Sequence, residues 1–248
     1  LKFDRLINKS LLVRTCGVLN TKRVIQTFFS RVTSLRSRFK YILESIQFLH
    51  SIGIAHLDLK RDNLISDSAG RIRVIDFGAS LALTGEHEMF FKQVCEKMKK
   101  SKKSDFTDKF KHGLLMKIAV HTPGYVSPEF QLCTDILGNK HLNKDTASKK
   151  ISKKSNVKLS KSDSDFFKSV IKQKKQFLLD MFCGLNDKPP ALFLSDVYSL
   201  GTVFKKIAKD GNVKNTQLNS LIKLMREPVY TKRITISECL EHPFFKSN

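Results

Sequence analysis

The chain has 248 residues, enough for one large domain or two lobes around a proper hydrophobic core. Its formal net charge of +22 comes from 45 Lys and Arg against 23 Asp and Glu. No apolar run is long enough to span a bilayer, and no signal-peptide pattern is present at the start. Five scattered cysteines without a C-x-x-C pair argue against a disulfide framework or a zinc site and favour a reducing intracellular compartment.

The first third of the chain predicts two short elements and one clear helix. A β-like run at 11–13 is followed by a helical stretch at 21–29. From Leu35 to His50, apolar residues then recur at three- and four-residue spacing, which predicts an amphipathic helix. Gly53 stands where a helix of this kind commonly ends in a left-handed residue.

A β-hairpin is predicted directly after this helix. The runs 64–65 and 72–75 are apolar, and the sequence S-D-S-A-G between them is typical of a turn. A hairpin places its two ends side by side, so Asn63 before the first strand is expected near Asp76 after the second. Oxygen ligands brought together in this way suit Mg²⁺, which one or two protein groups usually hold together with substrate phosphates.

Two further residues precede the hairpin at fixed offsets. Asp58 is free to orient a substrate hydroxyl and accept its proton, and Lys60 can neutralise charge on a phosphoryl group during transfer. One stretch of residues, 56–63, contains Asp58, Lys60 and Asn63, and a second, 76–78, contains Asp76. The alternative for either stretch by itself is a polar loop with a capping Asp and a turn Gly. The two stretches together, at this separation, favour phosphoryl transfer.

These residues resemble the catalytic loop and magnesium motif of eukaryotic Ser/Thr protein kinases. H-L-D-L-K-R-D-N at 56–63 is similar to H-R-D-L-x-x-x-N, and D-F-G at 76–78 matches the family's motif. H-T-P-G-Y-V-S-P-E at 121–129 resembles the peptide-docking loop G-T-x-x-Y-x-A-P-E, with His and Ser in place of Gly and Ala. By this match Thr122 bridges Asp58 and Lys60.

Two lysine-rich stretches interrupt the resemblance, at about 85–115 and 139–175. The first contains K-M-K-K-S-K-K-S at 97–104 and is interpreted as a solvated, mobile loop. The second holds 12 Lys against three Asp; residues 146–161 are expected to be disordered, and 166–182 to be helical. The disfavoured alternative for the first stretch is a regulatory or nucleic-acid-binding insert. Nucleic-acid contact through either insert is not expected, because base readers usually interleave aromatic residues and Arg.

The last third carries two more motifs of the family. S-D-V-Y-S-L-G at 195–201 looks like its buried central helix, with Ser195 as the expected N-cap and Asp196 holding the catalytic-loop backbone. An amphipathic helix is predicted at 215–225. R-x-T-x-x-E-x-L-x-H-P-F-F at 233–245 implies a buried ion pair between Arg233 and Glu129.

The resemblance implies an α+β, protein-kinase-like fold, mainly the helical C-terminal lobe with short β-hairpins. The whole of 1–248 would be a protein kinase domain, with a partial N-terminal lobe at 1–17 and the C-terminal lobe at 18–248. Only 55 residues precede His56, and no G-x-G-x-x-G occurs. The sequence is therefore expected to be a fragment rather than a protein without a nucleotide lid.

The implied activity is transfer of the ATP γ-phosphoryl group to Ser or Thr hydroxyls of protein substrates, in the cytoplasm or nucleus. Asp58, Lys60 and Thr122 would be catalytic, Asn63 and Asp76 would bind Mg²⁺ and the nucleotide, and Ile65 would line the adenine site. Leu57 stands where the family often has Arg, so activity is not expected to require a phosphorylated activation segment. The alternatives are a pseudokinase acting as a scaffold and a small-molecule phosphotransferase.

Overall fold

The described part of the chain is mainly helical. The computed structural model describes residues 34–66, 72–83, 96, 121–138, 144–155, 157–184 and 189–246. The predicted strand at 11–13, the helical stretch at 21–29 and the lysine run at 97–104 lie outside these residues. Within them, no helix has the length and apolar character needed to cross a membrane.

The first helix, α1 (Leu35–Ser51), confirms the helix predicted from the apolar stripe. Ser34 caps it by accepting a hydrogen bond from the backbone N–H of Ser37 at 3.1 Å. The stripe forms the buried face, where four residues are fully buried: Phe39, Ile42, Leu43 and Ile46. The helix ends before Gly53, whose φ of 75° is a left-handed conformation that glycine adopts without steric cost.

Two short antiparallel ladders follow α1. The first joins β1 (Ile54–Ala55) to β4 (Leu81–Ala82). The second joins β2 (Leu64–Ser66) to β3 (Ile72–Val74), with Leu64 opposite Val74. Single 3₁₀ turns precede β2 and follow β3. This second ladder is the predicted hairpin, and it brings the residues before β2 beside those after β3.

Three helices occupy the second lysine-rich stretch. After α2 (Pro128–Leu137) come α3 (Lys144–Ser155), α4 (Lys161–Lys172) and α5 (Lys174–Cys183). The expectation of disorder over 146–161 is therefore wrong for the part that lies in α3. The helical pattern at 166–182 is confirmed, although it is shared between α4 and α5.

Specific contacts explain why α3 packs. Ile151 is 1% exposed and belongs to the apolar cluster that α4 and α5 also form. The Tyr198 hydroxyl donates to the Ser155 carbonyl at 3.1 Å, and Lys154 Nζ lies 3.3 Å from Asp135 Oδ1. Composition predicted disorder because Lys and Ser dominate the stretch. The segment is helical instead because Ile151 is buried and because Lys154 and the Ser155 carbonyl bond to the rest of the protein.

The central helix α6 (Ala191–Asp210) is buried on every side along residues 191–204. Most of these residues are apolar, and a helix that is buried on every side lies inside a core. Ser195 was expected to cap this helix, and that prediction is wrong, because the helix begins four residues earlier. The Ser195 hydroxyl instead lies 3.1 Å from the Ala191 carbonyl within α6 and 2.9 Å from Oε1 of Glu129 in the neighbouring helix α2.

Three helices follow α6: α7 (Thr216–Met225), α8 (Ile236–Leu240) and α9 (Pro243–Lys246). Helix α7 packs on α6, whereas α8 lies against α1 and α9 lies against α1 and α7. Asn215 caps α7 by accepting from the Leu218 N–H at 2.8 Å, so the helix predicted at 215–225 is confirmed.

Helices α6 and α7 approach closely at a glycine. A Cβ added to Gly201 would lie 2.8 Å from Met225 Cβ, closer than non-bonded carbons pack. About one turn further along α6, the Phe204 ring stacks on Phe39 of α1 with centroids 3.8 Å apart. These contacts hold α6 against both α1 and α7.

The buried apolar side chains form two clusters. One joins β1 and β4 to α2, α3, α4, α5 and the start of α6, and the other joins α1, the β2–β3 hairpin and α7 to the rest of α6. Among the described cysteines, Cys133 and Cys239 are buried free thiols. Cys183 is in a disulfide, which the sequence did not predict. Helices dominate and the strands are short antiparallel pairs, so the predicted α+β class is confirmed.

Candidate active site

One buried carboxylate from α6 holds the loop that follows β1. Asp196 Oδ2 accepts from the His56 N–H and Oδ1 from the Leu57 N–H, both at 2.8 Å. His50 Nε2, at the end of α1, lies 3.0 Å from the same Oδ2. Leu57 has a φ of 64°, a left-handed conformation that costs a non-glycine residue roughly 1–2 kcal/mol. The two bonds to a carboxylate offset that cost, and they confirm the predicted tie between Asp196 and the loop.

His56 connects this loop to the strand end on the other side of the hairpin. Its Nδ1 accepts from the Asp58 N–H at 3.4 Å, so Nε2 carries the hydrogen and donates to the Ile75 carbonyl at 3.1 Å. The ring is fully buried and lies 5.0 Å from that of Phe77. A neutral imidazole thus fixes the spacing between the loop and the residues that follow β3.

Asp58, Lys60 and Thr122 form a closed ring of hydrogen bonds. The Thr122 hydroxyl donates to Asp58 Oδ1 at 2.6 Å. Lys60 Nζ donates to Asp58 Oδ2 at 2.8 Å and to Thr122 Oγ1 at 3.1 Å. Two of these residues come from the loop and the third from a segment more than sixty positions away. The structure therefore brings the three predicted catalytic residues together.

Asn63 and Asp76 lie at the two ends of the β2–β3 hairpin. The Ile75 N–H donates to the Asn63 carbonyl at 2.9 Å, which sets Asp76 beside Asn63. Asn63 Nδ2 donates to the Asp58 carbonyl at 2.8 Å and to Asp58 Oδ2 at 3.2 Å. Asp76 is exposed with a φ of 63°, and its Oδ1 accepts from the Gly78 N–H at 3.3 Å. The hairpin thus brings Asn63 and Asp76 to the same end of the ladder, as predicted, and Asn63 contacts Asp58 there.

This donor set fits a magnesium ion that is shared with phosphate. Because Asn63 uses its amide nitrogen on Asp58, its Oδ1 is left to accept a ligand, and Asp76 offers a solvent-facing carboxylate. Both are hard oxygen donors of the kind Mg²⁺ prefers. Across the described residues, no group of three or more His, Cys, Asp and Glu could hold a metal by itself. An ion here would need water and nucleotide phosphate oxygens to complete its shell.

The charges of the cluster favour a protonated lysine. The hydrogen bond to Asp58 is the largest cause that raises the pKa of Lys60 above 10.5, and the charges of Asp58, Asp76 and Asp62 act in the same direction. Partial burial opposes this increase without cancelling it. A fixed positive charge therefore lies beside the Asp58 carboxylate throughout the physiological pH range.

A tight turn and a capped helix present Thr122. The Tyr125 N–H donates to the Thr122 carbonyl at 3.2 Å, and Gly124 has a φ of 80°. Proline followed by glycine suits the central positions of a type II turn. Ser127 then caps α2 by accepting from the Phe130 N–H at 3.3 Å.

A fully buried ion pair anchors the start of α2 to the C-terminal segment. Arg233 Nη1 lies 2.5 Å from Glu129 Oε1, and Arg233 Nη2 lies 2.8 Å from Oε2. Both side chains are 0% exposed. The guanidinium also donates to the Leu194 carbonyl at 2.8 Å and to the Glu227 carbonyl at 2.9 Å. The predicted Arg233–Glu129 pair is confirmed, and it is bidentate.

Some positioning residues were not predicted from the sequence. The role of His56 depends on a carbonyl 19 positions away, and that of His50 on a carboxylate 146 positions away. A histidine in the last turn of a helix was the only sequence signal for His50. Ile65 is 7% exposed and lies opposite Arg73 in the hairpin, so its predicted adenine contact stays a prediction.

Residues 11–245 match the family described as the protein kinase domain. This match covers nearly the whole chain, and the chain belongs to that family. The eukaryotic-type protein kinase resemblance and the protein-kinase-like fold predicted from the motifs are thereby confirmed.

Several curated proteins share parts of this sequence. CBL-interacting protein kinase 5 of Oryza sativa subsp. japonica is 27% identical over 230 residues, which is 88% of this chain and 37% of that protein. The nitrogen permease reactivator protein of Saccharomyces cerevisiae is 50% identical over 46 residues, 18% of this chain and 6% of that protein. Serine/threonine-protein kinase oca2 of Schizosaccharomyces pombe is 49% identical over 43 residues, 17% of this chain and 7% of that protein. The aligned part of the chain thus spans well under two thirds of each of these relatives.

Proposed function

We propose that the chain contributes to a protein serine/threonine kinase that transfers the γ-phosphoryl group of ATP to Ser or Thr hydroxyls of protein substrates. The observation that carries the proposal is the closed ring of Asp58, Lys60 and Thr122 beside the oxygen donors of Asn63 and Asp76. Membership of the protein kinase domain family supports it, as do relatives whose names include serine/threonine-protein kinase.

Asp58 would orient the acceptor hydroxyl and take its proton as the new oxygen–phosphorus bond forms and the bond from the γ-phosphorus to the β–γ bridging oxygen breaks, which releases ADP. Its two oxygens are fixed by Thr122 and Lys60, so the carboxylate is held in one orientation before substrate arrives. Lys60 would stabilise negative charge on the phosphoryl oxygens, which is the main task in phosphoryl transfer. Positioned proton transfer contributes about 10²–10⁴-fold to rates in general.

Asn63 Oδ1 and Asp76 would hold Mg²⁺ against the nucleotide phosphates, and Ile65 would contact the adenine. When bound, the ion neutralises charge that develops between the β- and γ-phosphates. Leu57 is 5% exposed within an apolar cluster and cannot pair with a phosphate. We therefore expect activity without phosphorylation of the segment that precedes Thr122. The intracellular location, like the domain limits, stays a prediction.

Nucleotide binding tests the proposed metal site directly. We would record thermal unfolding of the chain with ATP, with and without Mg²⁺, for the parent and Asp76→Ala. Saturation at 100-fold over Kd stabilises a folded protein by about 2.7 kcal/mol, or roughly 5–11 °C for a chain of this size. We expect this Mg²⁺-dependent shift in the parent and its loss in Asp76→Ala. Asp165→Ala, which removes an exposed carboxylate paired with Lys168, should keep the full shift.

Phosphotransfer to Ser, Thr and Tyr peptides then distinguishes the enzyme from the scaffold. We expect label on Ser or Thr peptides and a loss of at least about 100-fold in Asp58→Ala, with nucleotide binding retained. Binding without transfer in the parent would favour the pseudokinase alternative. If Mg²⁺ and ATP raised the Tm of Asp76→Ala as much as that of the parent, the proposed metal site would be wrong.

A further inference from the structure

A basic groove lies between α6 and α7, and the proposed phosphotransfer does not use it. Its volume is about 570 Å³, which is within the range of ligand-binding clefts. Four of the nine residues that line it are cations, and none is acidic: the cations are Lys205, Lys209, Lys223 and Arg226. They come from both helices and the residue that ends α7, so the charge converges on the groove from its two sides.

The positive charge of this basic groove is not compensated by neighbouring acids. The nearby Asp210 is paired with Arg61, and Glu227 Oε1 accepts from the Val229 N–H at 3.2 Å. Within the described part of the chain, none of the three lysines forms an ion pair. Arg226, and to a smaller extent Lys209, lower the pKa of Lys205 by like-charge repulsion. An anion that entered the groove would relieve this repulsion.

The groove also offers an apolar floor and amide groups. Ala208, Val213 and Ile222 contribute apolar surface, whereas Asn212 and Asn219 are exposed amides. A carboxamide can pair with both the N–H and the C=O of an extended peptide. This combination suits a peptide that carries several carboxylates and at least one apolar side chain.

One cation of the groove is held in place by its neighbours. Arg226 Nε donates to Thr202 Oγ1 at 3.2 Å, and its guanidinium carbon lies 5.6 Å from the centroid of the Tyr198 ring. An ordered guanidinium loses less conformational entropy when it binds a carboxylate than a mobile one does. Arg226 is therefore the best-ordered anchor for an anionic group.

We propose that the basic groove binds an acidic peptide segment of a partner protein. Carboxylates of the segment would contact the four cations, and its backbone would lie along the two asparagine amides. Single-stranded nucleic acid fits the lining less well, because binding of that kind relies on aromatic stacking platforms and none of the nine lining residues is aromatic.

The position of the groove suits a docking role that is separate from the Asp58 cluster. Lys205 follows Asp196 by nine residues on the same helix, roughly 13 Å along its axis. Lys206, which lies between Lys205 and Lys209 in the sequence, instead places its ammonium group 3.6 Å from the Tyr125 ring centroid. In a partner protein, the segment that binds the groove would therefore be separate from the residue that enters the Asp58 cluster. The inference does not depend on the proposed activity, because binding is measured without nucleotide.

Fluorescence anisotropy on the full chain tests this proposal. The probe is a fluorescein-labelled peptide of six glutamates around one leucine, and the same peptide with glutamines is the control ligand. The variant Lys205→Glu/Lys209→Glu reverses two charges of the groove. Lys153→Glu/Lys158→Glu makes the same change in net charge on exposed lysines elsewhere. Lys205→Gln/Lys209→Gln removes the charges without adding repulsion, and thermal unfolding of each variant establishes that it is folded.

We expect the glutamate peptide to bind the parent and the glutamine peptide to bind at least tenfold more weakly. The groove reversal should weaken binding about tenfold or more and the glutamine pair about threefold, whereas the control pair stays within twofold. Equal weakening in both reversed variants would overturn the proposal, since binding would then report only the net charge of +22. Absence of binding to the parent would also overturn it. A third result would overturn it: an oligothymidylate with the same charge binds more tightly than the glutamate peptide, and the groove reversal abolishes that binding.

Discussion

Removal of Glu129 isolates the energetic contribution of the buried ion pair. In Glu129→Ala, Arg233 loses both of its bonds to the carboxylate, and Ser195 loses an acceptor. Arg233 keeps the Leu194 and Glu227 carbonyls, so the guanidinium is left buried but still partly hydrogen-bonded. An uncompensated buried charge costs about 3–5 kcal/mol, and the remaining carbonyl partners place this case near 3 kcal/mol.

Two further variants define the expected order of effects. Glu129→Gln keeps the side-chain shape and one acceptor oxygen, so we expect a loss of about 1–2 kcal/mol. Glu241→Ala breaks an exposed pair with Lys246, in which both side chains are more than 60% exposed, and should leave unfolding unchanged. We therefore expect Glu129→Ala to destabilise the protein more than Glu129→Gln, with the surface variant equal to the parent.

Urea denaturation and thermal unfolding, followed by circular dichroism, measure this order. A loss of about 3 kcal/mol corresponds to a decrease in Tm of roughly 6–12 °C for a domain of this size. Glu129→Ala that unfolds within about 0.5 kcal/mol of the parent would refute the inference that this pair is buried and bidentate. It would also place the start of α2 away from the segment that contains Arg233.

Three other perturbations test buried contacts of α5 and α6. Asp196→Ala leaves two buried loop N–H groups without an acceptor. Each costs about 1–3 kcal/mol, so urea denaturation should show a free energy of unfolding lower by roughly 2–6 kcal/mol. A decrease below about 1 kcal/mol would contradict this expectation. Gly201→Ala sets a methyl group against Met225 and should cost about 1–3 kcal/mol in the same assay, whereas an unchanged midpoint would mean that α7 moves freely. Burial raises the pKa of Asp180 above its ordinary value of 3.8, although bonds from Gln176 and Tyr230 partly oppose this. The folded protein then holds this proton more tightly than the unfolded chain, so the parent should lose stability relative to Asp180→Asn as pH rises above 3.8. A difference in stability that does not vary with pH would show that the carboxyl is solvated.

The sequence determined the elements and residues whose signals are local. The apolar stripe of α1 repeats at helical spacing, and the β2–β3 hairpin is marked by its turn residues, so both were predicted correctly. The order of Asp58, Lys60, Asn63 and Asp76 is the sequence signal behind the proposed chemistry, because phosphoryl transfer needs those groups at fixed offsets. Capping was predicted less well. Ser195 has the right side chain for an N-cap, but the buried apolar residues before it extend α6 by another turn.

Only the tertiary structure decided which distant groups meet. The lysine-rich α3 is helical because Ile151 enters a core formed by other helices, and composition cannot register that partner. His56 becomes a neutral bridge because the hairpin brings the Ile75 carbonyl to its ring. The basic groove exists because α6 and α7 are neighbours that close on each other at Gly201. The type of each side chain and the spacing of apolar residues can be read directly from the sequence. Burial, pKa and the convergence of charges depend on contacts between residues far apart in sequence.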